Sequence, residues 1–179
     1  PEGQQSVDVT IIPVNDSRVE RTESILLRLG RAKQFSTDPN NKMATISLTD
    51  NEPVVSITAP DADAGESSST DVDTGVFRIS RTQSTIEPLT VPIRIGCQAR
   101  HGLNRDYVMT VVGHTFTGRV VVIPAGQQSV DVTIVPVNDS RVERTESIIL
   151  RVIRSREFSV DTAKKSATVL LIDKISTGL

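Results

Sequence analysis

Residues 124–152 read PAGQQSVDVTIVPVNDSRVERTESIILRV, and residues 1–29 read PEGQQSVDVTIIPVNDSRVERTESILLRL. The offset of 123 residues continues without insertion or deletion to residues 53 and 176. A period this long is that of a whole domain, because solenoid repeats have only about 20–45 residues. We therefore expect one complete domain at 54–176, the C-terminal half of another at 1–53, and a tail or linker at 177–179. Over the 29 aligned positions only four pairs differ: Glu2/Ala125, Ile12/Val135, Leu26/Ile149 and Leu29/Val152.

Apolar residues alternate with polar ones along short runs of the complete domain. Val130, Val132 and Ile134, for example, are separated by Asp131 and Thr133. Such runs, bounded by Gly, Asn, Asp and Pro, are typical of an antiparallel sandwich. The sequence thus predicts an all-β fold, an immunoglobulin-like antiparallel two-sheet β-sandwich in tandem repeat of period 123. The polar stretch 60–74 is expected to be a loop. Strands are expected at about 54–59, 75–82, 88–96, 106–112, 115–123, 128–137, 145–153 and 166–173.

The alternation also predicts which side chains lie inside. A slip of one residue would turn every apolar side chain of a strand toward solvent, so one face must be the buried one. The expected core consists of Phe77, Ile79, Val91, Ile93, Val130, Val132, Ile134, Ile148, Leu150 and Val169.

Residues 1–53 contain counterparts of only the last three strands of the complete domain. Half a sandwich leaves its inner face bare, and stable soluble proteins rarely expose a large apolar patch. We therefore expect the chain to be a window on a longer polypeptide, or a second chain to donate strands to residues 1–53. The apolar positions concerned are Val7, Val9, Ile11, Ile25, Leu27 and Ile46.

Composition excludes several functions. The net charge is −2, which gives no general attraction to nucleic acid, and aromatic residues are only 3% with no Trp, so base-stacking platforms are not expected. No apolar run approaches the roughly 20 residues of a membrane span, so we expect no direct membrane insertion by this segment. Cys97 is the only cysteine and cannot form an intrachain disulfide. No GxSxG, HExxH, CxxC, P-loop or GxGxxG motif is present, which indicates a protein that is not an enzyme.

Acidic residues cluster where strands are expected to end. Calcium is a hard cation that takes about six to eight oxygen ligands, which convergent loops at one end of a sandwich can supply. The alternative is that these acids are solvated turn residues, some of them paired with local arginines. The residues are Asn15, Asp16, Glu20 and Glu23 in the first copy, Asn138, Asp139, Glu143 and Glu146 at the same spacing in the second, and Glu66, Asp106 and Asp173 at other strand ends.

Six short patterns occur in an order that resembles the Calx-beta domain, a calcium-binding sandwich of sodium/calcium exchangers and of many large bacterial surface proteins. The resemblance covers all of 54–173, and residues 1–52 match the second half of the family pattern. The patterns are Gly75-x-Phe77-x-Ile79-x-Arg81, Leu89-Thr90-Val91, Ala99 to Asp106-Tyr107, Ile123-Pro124-Ala125-Gly126-Gln127, Asn138-Asp139 with Glu143 and Glu146, and Ala167-Thr168-Val169 with Asp173.

The resemblance implies calcium at one tip of the sandwich, with ligands from two sets of residues. The sequence departs from the family pattern by having Asn138 first in its stretch, Arg141 and Arg144 among the ligands, and Lys174 where the first copy has Asn51. Since Lys174 adds a positive charge, we expect the first set to bind calcium more tightly than the second. The implied ligands are Asn15, Asp16, Glu20, Glu23, Asp50, Asn51 and Glu52, and then Glu66, Asp106, Asn138, Asp139, Glu143, Glu146 and Asp173.

The tandem repeat itself favours a structural or adhesive role. We expect a module of a large extracellular or cell-surface protein, such as a stalk or fibre, in which calcium at domain tips stiffens the joints. Its partners would be neighbouring repeats of the same polypeptide or adjacent chains, and nucleic acid is not expected as a partner. Two alternatives remain: a calcium-sensing regulatory domain of a membrane transporter or receptor, and a metal-free filament subunit joined by strand donation between chains.

Overall fold

A computed structural model describes residues 3–14, 16, 18–66, 72–83, 85–102, 105–112, 114–116, 118–139 and 141–173. The chain divides into two compact units, Pro1–Asn51 and Glu52–Leu179, called unit 1 and unit 2 below. All regular structure in the described residues is β-strand. The described part of the chain contains no helix of the length and apolarity that a membrane span requires.

Unit 1 contains one antiparallel pair of strands. β1 (Glu23–Arg28) pairs with β2 (Met43–Leu48) over their full lengths, from Glu23 opposite Leu48 to Arg28 opposite Met43. The described residues of 3–14 form no strand, although the sequence predicted one there.

Unit 2 is a sandwich of two sheets. One sheet has six strands in the order β12-β3-β5-β10-β7-β8, and the other has five in the order β4-β13-β11-β6-β9. Neighbouring strands run antiparallel except in two short pairs, β12 with β3 and β13 with β4, which are parallel. The strands are β3 (Val54–Asp61), β4 (Asp63–Gly65), β5 (Gly75–Arg81), β6 (Leu89–Cys97), β7 (Tyr107–Val111), β8 (His114–Thr115), β9 (Val120–Ile123), β10 (Ser129–Pro136), β11 (Glu146–Val152), β12 (Ser159–Val160) and β13 (Ser166–Ile172).

The predicted all-β sandwich and its core are confirmed. All ten side chains expected inside are buried, and they belong to one apolar cluster that contains residues of both sheets. Alternation along β10 shows the cause, since Val130, Val132 and Ile134 are buried while the residues between them are partly exposed. The core also takes in residues that periodicity did not single out, among them Tyr107, Met109 and Phe158.

Unit 2 departs from the predicted strands and loops in three places. The predicted strand 115–123 is two strands in different sheets, because Phe116 N donates to Met109 O in one sheet while Arg119 O accepts from Ile93 N in the other. The predicted loop 60–74 contains β4, which adds to β13 and buries Ala64. The two-residue strand β12 was not predicted.

The missing strand of unit 1 has a physical explanation in unit 2. The counterpart of the stretch 6–13 is β10, which lies between β5 and β7 and is hydrogen-bonded to both. Residues 1–53 contain no counterparts of β5 or β7. The stretch therefore has no neighbouring strands to pair with, whereas β1 and β2 pair with each other.

Candidate metal centre

Five strand ends meet at one tip of unit 2. β4, β10 and β13 end there, and β7 and β11 begin there, because β10 pairs antiparallel with β7, β11 pairs antiparallel with β13, and β13 runs parallel to β4. The acidic residues of the second predicted set occupy these ends. Glu66 follows β4, Asp106 precedes β7, Asp139 follows β10, Glu146 begins β11 and Asp173 follows β13.

Three of these side chains form a compact carboxylate cluster. One ligand oxygen from each of Asp106, Glu143 and Glu146 lies within 4.8 Å of the others. Asp106 and Glu146 are half-buried, and Glu143 is exposed. Asp106 precedes β7, Glu143 precedes β11 and Glu146 is the first residue of β11, so the fold brings together carboxylates separated by about 40 residues of sequence. Carboxylate oxygens at such spacing are suited to a hard cation.

Glu146 has the least favourable electrostatic environment of the three, because one of its oxygens is buried beside other carboxylates. Its Oε2 atom is buried and has no hydrogen-bond partner among the described residues. Burial raises the pKa of the Glu146 carboxyl. The charge of Asp106, a side-chain hydrogen bond shared with Asp106 and the charge of Glu143 raise this pKa further, while Arg100 acts in the opposite direction. A bound cation would remove both the repulsion and the need for a hydrogen bond.

Glu66 borders the cluster from β4. Its side chain is only 6% exposed, and its Oε2 accepts a long hydrogen bond of 3.5 Å from the Asp139 amide. Burial raises the pKa of Glu66, the Asp139 amide partly offsets this, and the negative charges of Asp173, Asp139 and Glu143 raise the pKa again. The tip therefore holds an excess of negative charge that extends beyond the three-carboxylate cluster.

Backbone amides fix three of the acidic side chains. Asp173 Oδ2 accepts from Glu143 N at 2.6 Å, and Asp139 Oδ1 accepts from Arg141 N at 2.6 Å. Asp106 Oδ2 accepts from Arg100 N at 2.5 Å. These bonds orient the loops around the cluster without using any side-chain cation.

The first predicted set has the same local bonds but fewer acids. Asp16 Oδ1 accepts from Arg18 N at 2.8 Å, and Asp50 Oδ2 accepts from Glu20 N at 2.5 Å, each 123 residues before its counterpart. Residues 1–53 contain no counterpart of Asp106. The expectation that the first set binds more tightly stays a prediction.

The structure describes four of the remaining predicted ligands. Glu23 is exposed at the start of β1, Asn51 is exposed, Glu52 is half-buried at the start of unit 2, and Asn138 is exposed after β10. Asn15 lies outside the described residues, and so does Lys174, the counterpart of Asn51.

Arginines do not neutralise the acids by direct pairing in the described part of the chain. The one salt bridge there joins Arg78 Nε to Asp131 Oδ1 at 2.8 Å, on the exposed side of β5 and β10. Arg18, Arg21, Arg141 and Arg144 form no such bridge with described acids. The alternative in which local arginines occupy the predicted ligands is therefore not the arrangement seen.

Two buried polar groups were missed by the sequence reasoning. Arg81 is 5% exposed, and its guanidinium donates to the backbone carbonyls of Thr85, Glu87, Pro124 and Gln127 at 2.7–3.2 Å. The burial of Arg81 could have been predicted from the same alternation that indicated burial of Phe77 and Ile79, because the three residues lie on one face of β5. The second group is the hydroxyl of Tyr107, which donates to Cys97 Sγ at 3.5 Å.

Several solved structures are similar to this chain at low sequence identity. No protein-family model matches the chain, and no curated protein matches it. Similar solved structures include CBD12 from CALX1.2, with 16% identity over 67% of this chain and 44% of that one, at a TM-score of 0.46. The apo form of the Calx CBD1 domain has 14% identity over 69% of this chain and 98% of that one, also at 0.46. The calcium binding domain CBD12 of CALX1.1 has 15% identity over 66% and 44%, at 0.44.

The chain thus matches less than half the length of the two CBD12 structures.

Proposed function

We propose that unit 2 is a non-enzymatic binding module that holds calcium at the tip occupied by Asp106, Glu143 and Glu146. The observation that carries the proposal is the approach of these three carboxylates to within 4.8 Å of one another. Like charges this close disfavour one another unless a proton or a cation intervenes. At neutral pH a cation with a preference for oxygen ligands meets this need.

The chain residues have separate roles in this proposal. The backbone amide of Arg100 donates a hydrogen bond to Asp106, and this bond holds the Asp106 carboxylate in place just before β7. Glu146 contributes a buried oxygen without a hydrogen-bond partner in the described chain. Glu143 contributes an exposed carboxylate from the loop that links β10 to β11. Bound calcium would link this loop to the starts of β7 and β11, because its positive charge would attract the carboxylates of all three residues.

The wider role that we propose follows from the repeat. Two nearly identical segments 123 residues apart are what a stalk, fibre or adhesive array of a large extracellular or cell-surface protein would contain. The partners would be neighbouring repeats of the same polypeptide or of adjacent chains. Calcium at the tip would stiffen each repeat near its end.

The dissociation constant for calcium would distinguish this structural role from calcium sensing. Extracellular calcium modules bind with dissociation constants of about 0.1–1 mM, whereas sensors respond at about 0.1–10 µM. A measured constant in the higher range would favour the structural role, and one in the lower range would favour a regulatory domain of a transporter or receptor.

Calorimetric titration of the chelator-treated 179-residue chain with calcium chloride tests the proposal. We expect saturable binding that weakens by at least about tenfold in the double variant Asp106→Asn, Glu146→Gln, because two anionic donors become neutral. Glu157→Gln is the matched control, since Glu157 is an exposed carboxylate outside the cluster. Absence of saturable binding, or equal binding by the double variant, would show that the tip is not a calcium site.

A further inference from the structure

Identical positions of the two copies differ sharply in burial. Val9 is 58% exposed, whereas its counterpart Val132 is fully buried. Leu27 and Phe35 are 49% and 54% exposed, whereas their counterparts Leu150 and Phe158 are at 0% and 1%. Because the sequences around Val9 and Leu27 match those around Val132 and Leu150 almost completely, the difference in burial arises from what surrounds these side chains. Unit 1 exposes the face that unit 2 uses as the wall of its core.

Unit 2 shows which strands flank the counterparts of these positions. In the six-stranded sheet, Val132 lies between Phe77 of β5 and Val111 of β7. In the five-stranded sheet, Leu150 has Ile95 of β6 as its partner on one side. All of these strands come from the stretch 54–123, which has no counterpart in residues 1–53.

The second edge of β1 is also open. Its counterpart β11 is hydrogen-bonded to β13 on one side and to β6 on the other. β1 pairs with β2, the β13 counterpart, and with no other described strand. An open edge beside an apolar face is a site for strand addition.

We propose that unit 1 is a strand acceptor whose occupant is a polypeptide segment with the alternating pattern of residues 54–123. The occupant would add strands like β5 and β7 on either side of residues 6–13 and a strand like β6 beside β1. The 54–123 segment of a second copy is not available for this, because unit 2 of that copy already uses it. The inference depends on the fold and the repeat, not on calcium.

A fusion protein tests the proposal directly. A copy of residues 54–123 is placed ahead of residue 1, which reproduces the Ile-Pro junction of the complete domain. In a background with every Cys97 changed to Ser, the variants Val9→Cys and Val132→Cys are labelled with a thiol reagent. We expect the cysteine at 9 to react at least about 100-fold more slowly in the fusion than in the 179-residue chain, because its labelling would require opening of a folded sandwich. The cysteine at 132 should react slowly in both.

Controls make each outcome decisive. Changing the counterparts of Phe77 and Ile79 to Asp in the added copy alone should restore fast labelling at position 9. Fast labelling at 9 in the intact fusion, with 132 still protected, would overturn the proposal, because unit 2 would then be folded and unit 1 uncovered. Slow labelling at 9 in the 179-residue chain, with a dimeric mass by sedimentation, would also overturn it, since a second copy would be the cover.

Discussion

The backbone amide of Glu143 donates a hydrogen bond of 2.6 Å to Asp173 Oδ2, which ties the loop before β11 to the end of β13. The same bond joins Glu20 to Asp50 in unit 1. It forms in a complete sandwich and in a unit with a single strand pair. The bond is therefore specified by the repeated sequence itself and does not require the second sheet.

Replacing Asp173 with Ala should lower the free energy of unfolding of unit 2 by about 1 kcal/mol in the presence of chelator, because the Glu143 amide loses its acceptor. Asp173→Asn should have a smaller effect, since the amide oxygen can still accept and a negative charge near Glu66 is removed. Urea denaturation of the three proteins measures the difference. Equal stability of the Ala variant and the parent would show that water replaces this bond without loss.

The pH dependence of the metal-free protein provides a second prediction. The pKa values of Glu66 and Glu146 are raised in the folded state, so the folded protein binds protons more readily than the unfolded chain above the ordinary glutamate value of 4.5. Their contribution to stability is full below that value and is lost as the pH rises through the folded-state pKa values. The double variant Glu66→Gln, Glu146→Gln should therefore be more stable than the parent at pH 7 in chelator.

This advantage should shrink as the pH falls toward 4.5, because the parent then carries protonated carboxyl groups. The lowered pKa of Asp131, which results from its bond to Arg78, is common to both proteins and cancels in the comparison. Parallel denaturation curves at pH 4.5, 5.5 and 7 provide the measurement. A variant less stable than the parent at pH 7 would mean that the two carboxylates stabilise the tip without metal.

Local pattern was sufficient for the core but not for every strand. The burial of Val132 and Leu150 follows from alternation, which acts over a few residues. By contrast, β4 forms because Asp63–Gly65 meets β13, which lies about 100 residues later, and no local signal marks that partner. The break after β8 likewise depends on Arg119 meeting Ile93 in the other sheet.

The sequence predicted which end of the sandwich holds the acidic residues, but not which of them form the cluster. Acidic residues at strand ends indicated that Asp106, Glu143 and Glu146 belong to one end of the sandwich. Which of the acidic residues come together depends on the path of the loops, since Asp139, in the same short stretch as Glu143, is not one of the three carboxylates of the cluster. Spacing along the sequence does not contain that information.

Arg81 should be essential for the opposite end of unit 2. Its guanidinium bonds four carbonyls from two loops, so Arg81→Lys should lower the free energy of unfolding by about 2–4 kcal/mol, because an ammonium cannot reproduce the planar fork. Arg78→Lys is the control, with an expected loss of at most about 1 kcal/mol for an exposed pair. Similar losses in the two variants would show that the buried bonds of Arg81 contribute little.

The contrast between Leu27 and Leu150 gives the last prediction. Leu150→Ala removes a fully buried side chain and should lower the free energy of unfolding of unit 2 by about 2–5 kcal/mol. Leu27→Ala acts on a side chain that is 49% exposed and should change stability by less than about 1 kcal/mol. Tyr107, the single tyrosine of the chain, is buried in unit 2, so its fluorescence reports unfolding of that unit, while hydrogen exchange of β1 reports on unit 1. If Leu27→Ala accelerates exchange throughout β1 as strongly as Leu150→Ala does throughout β11, Leu27 is covered in solution. The uncovered face of unit 1 would then not be the state of the 179-residue chain.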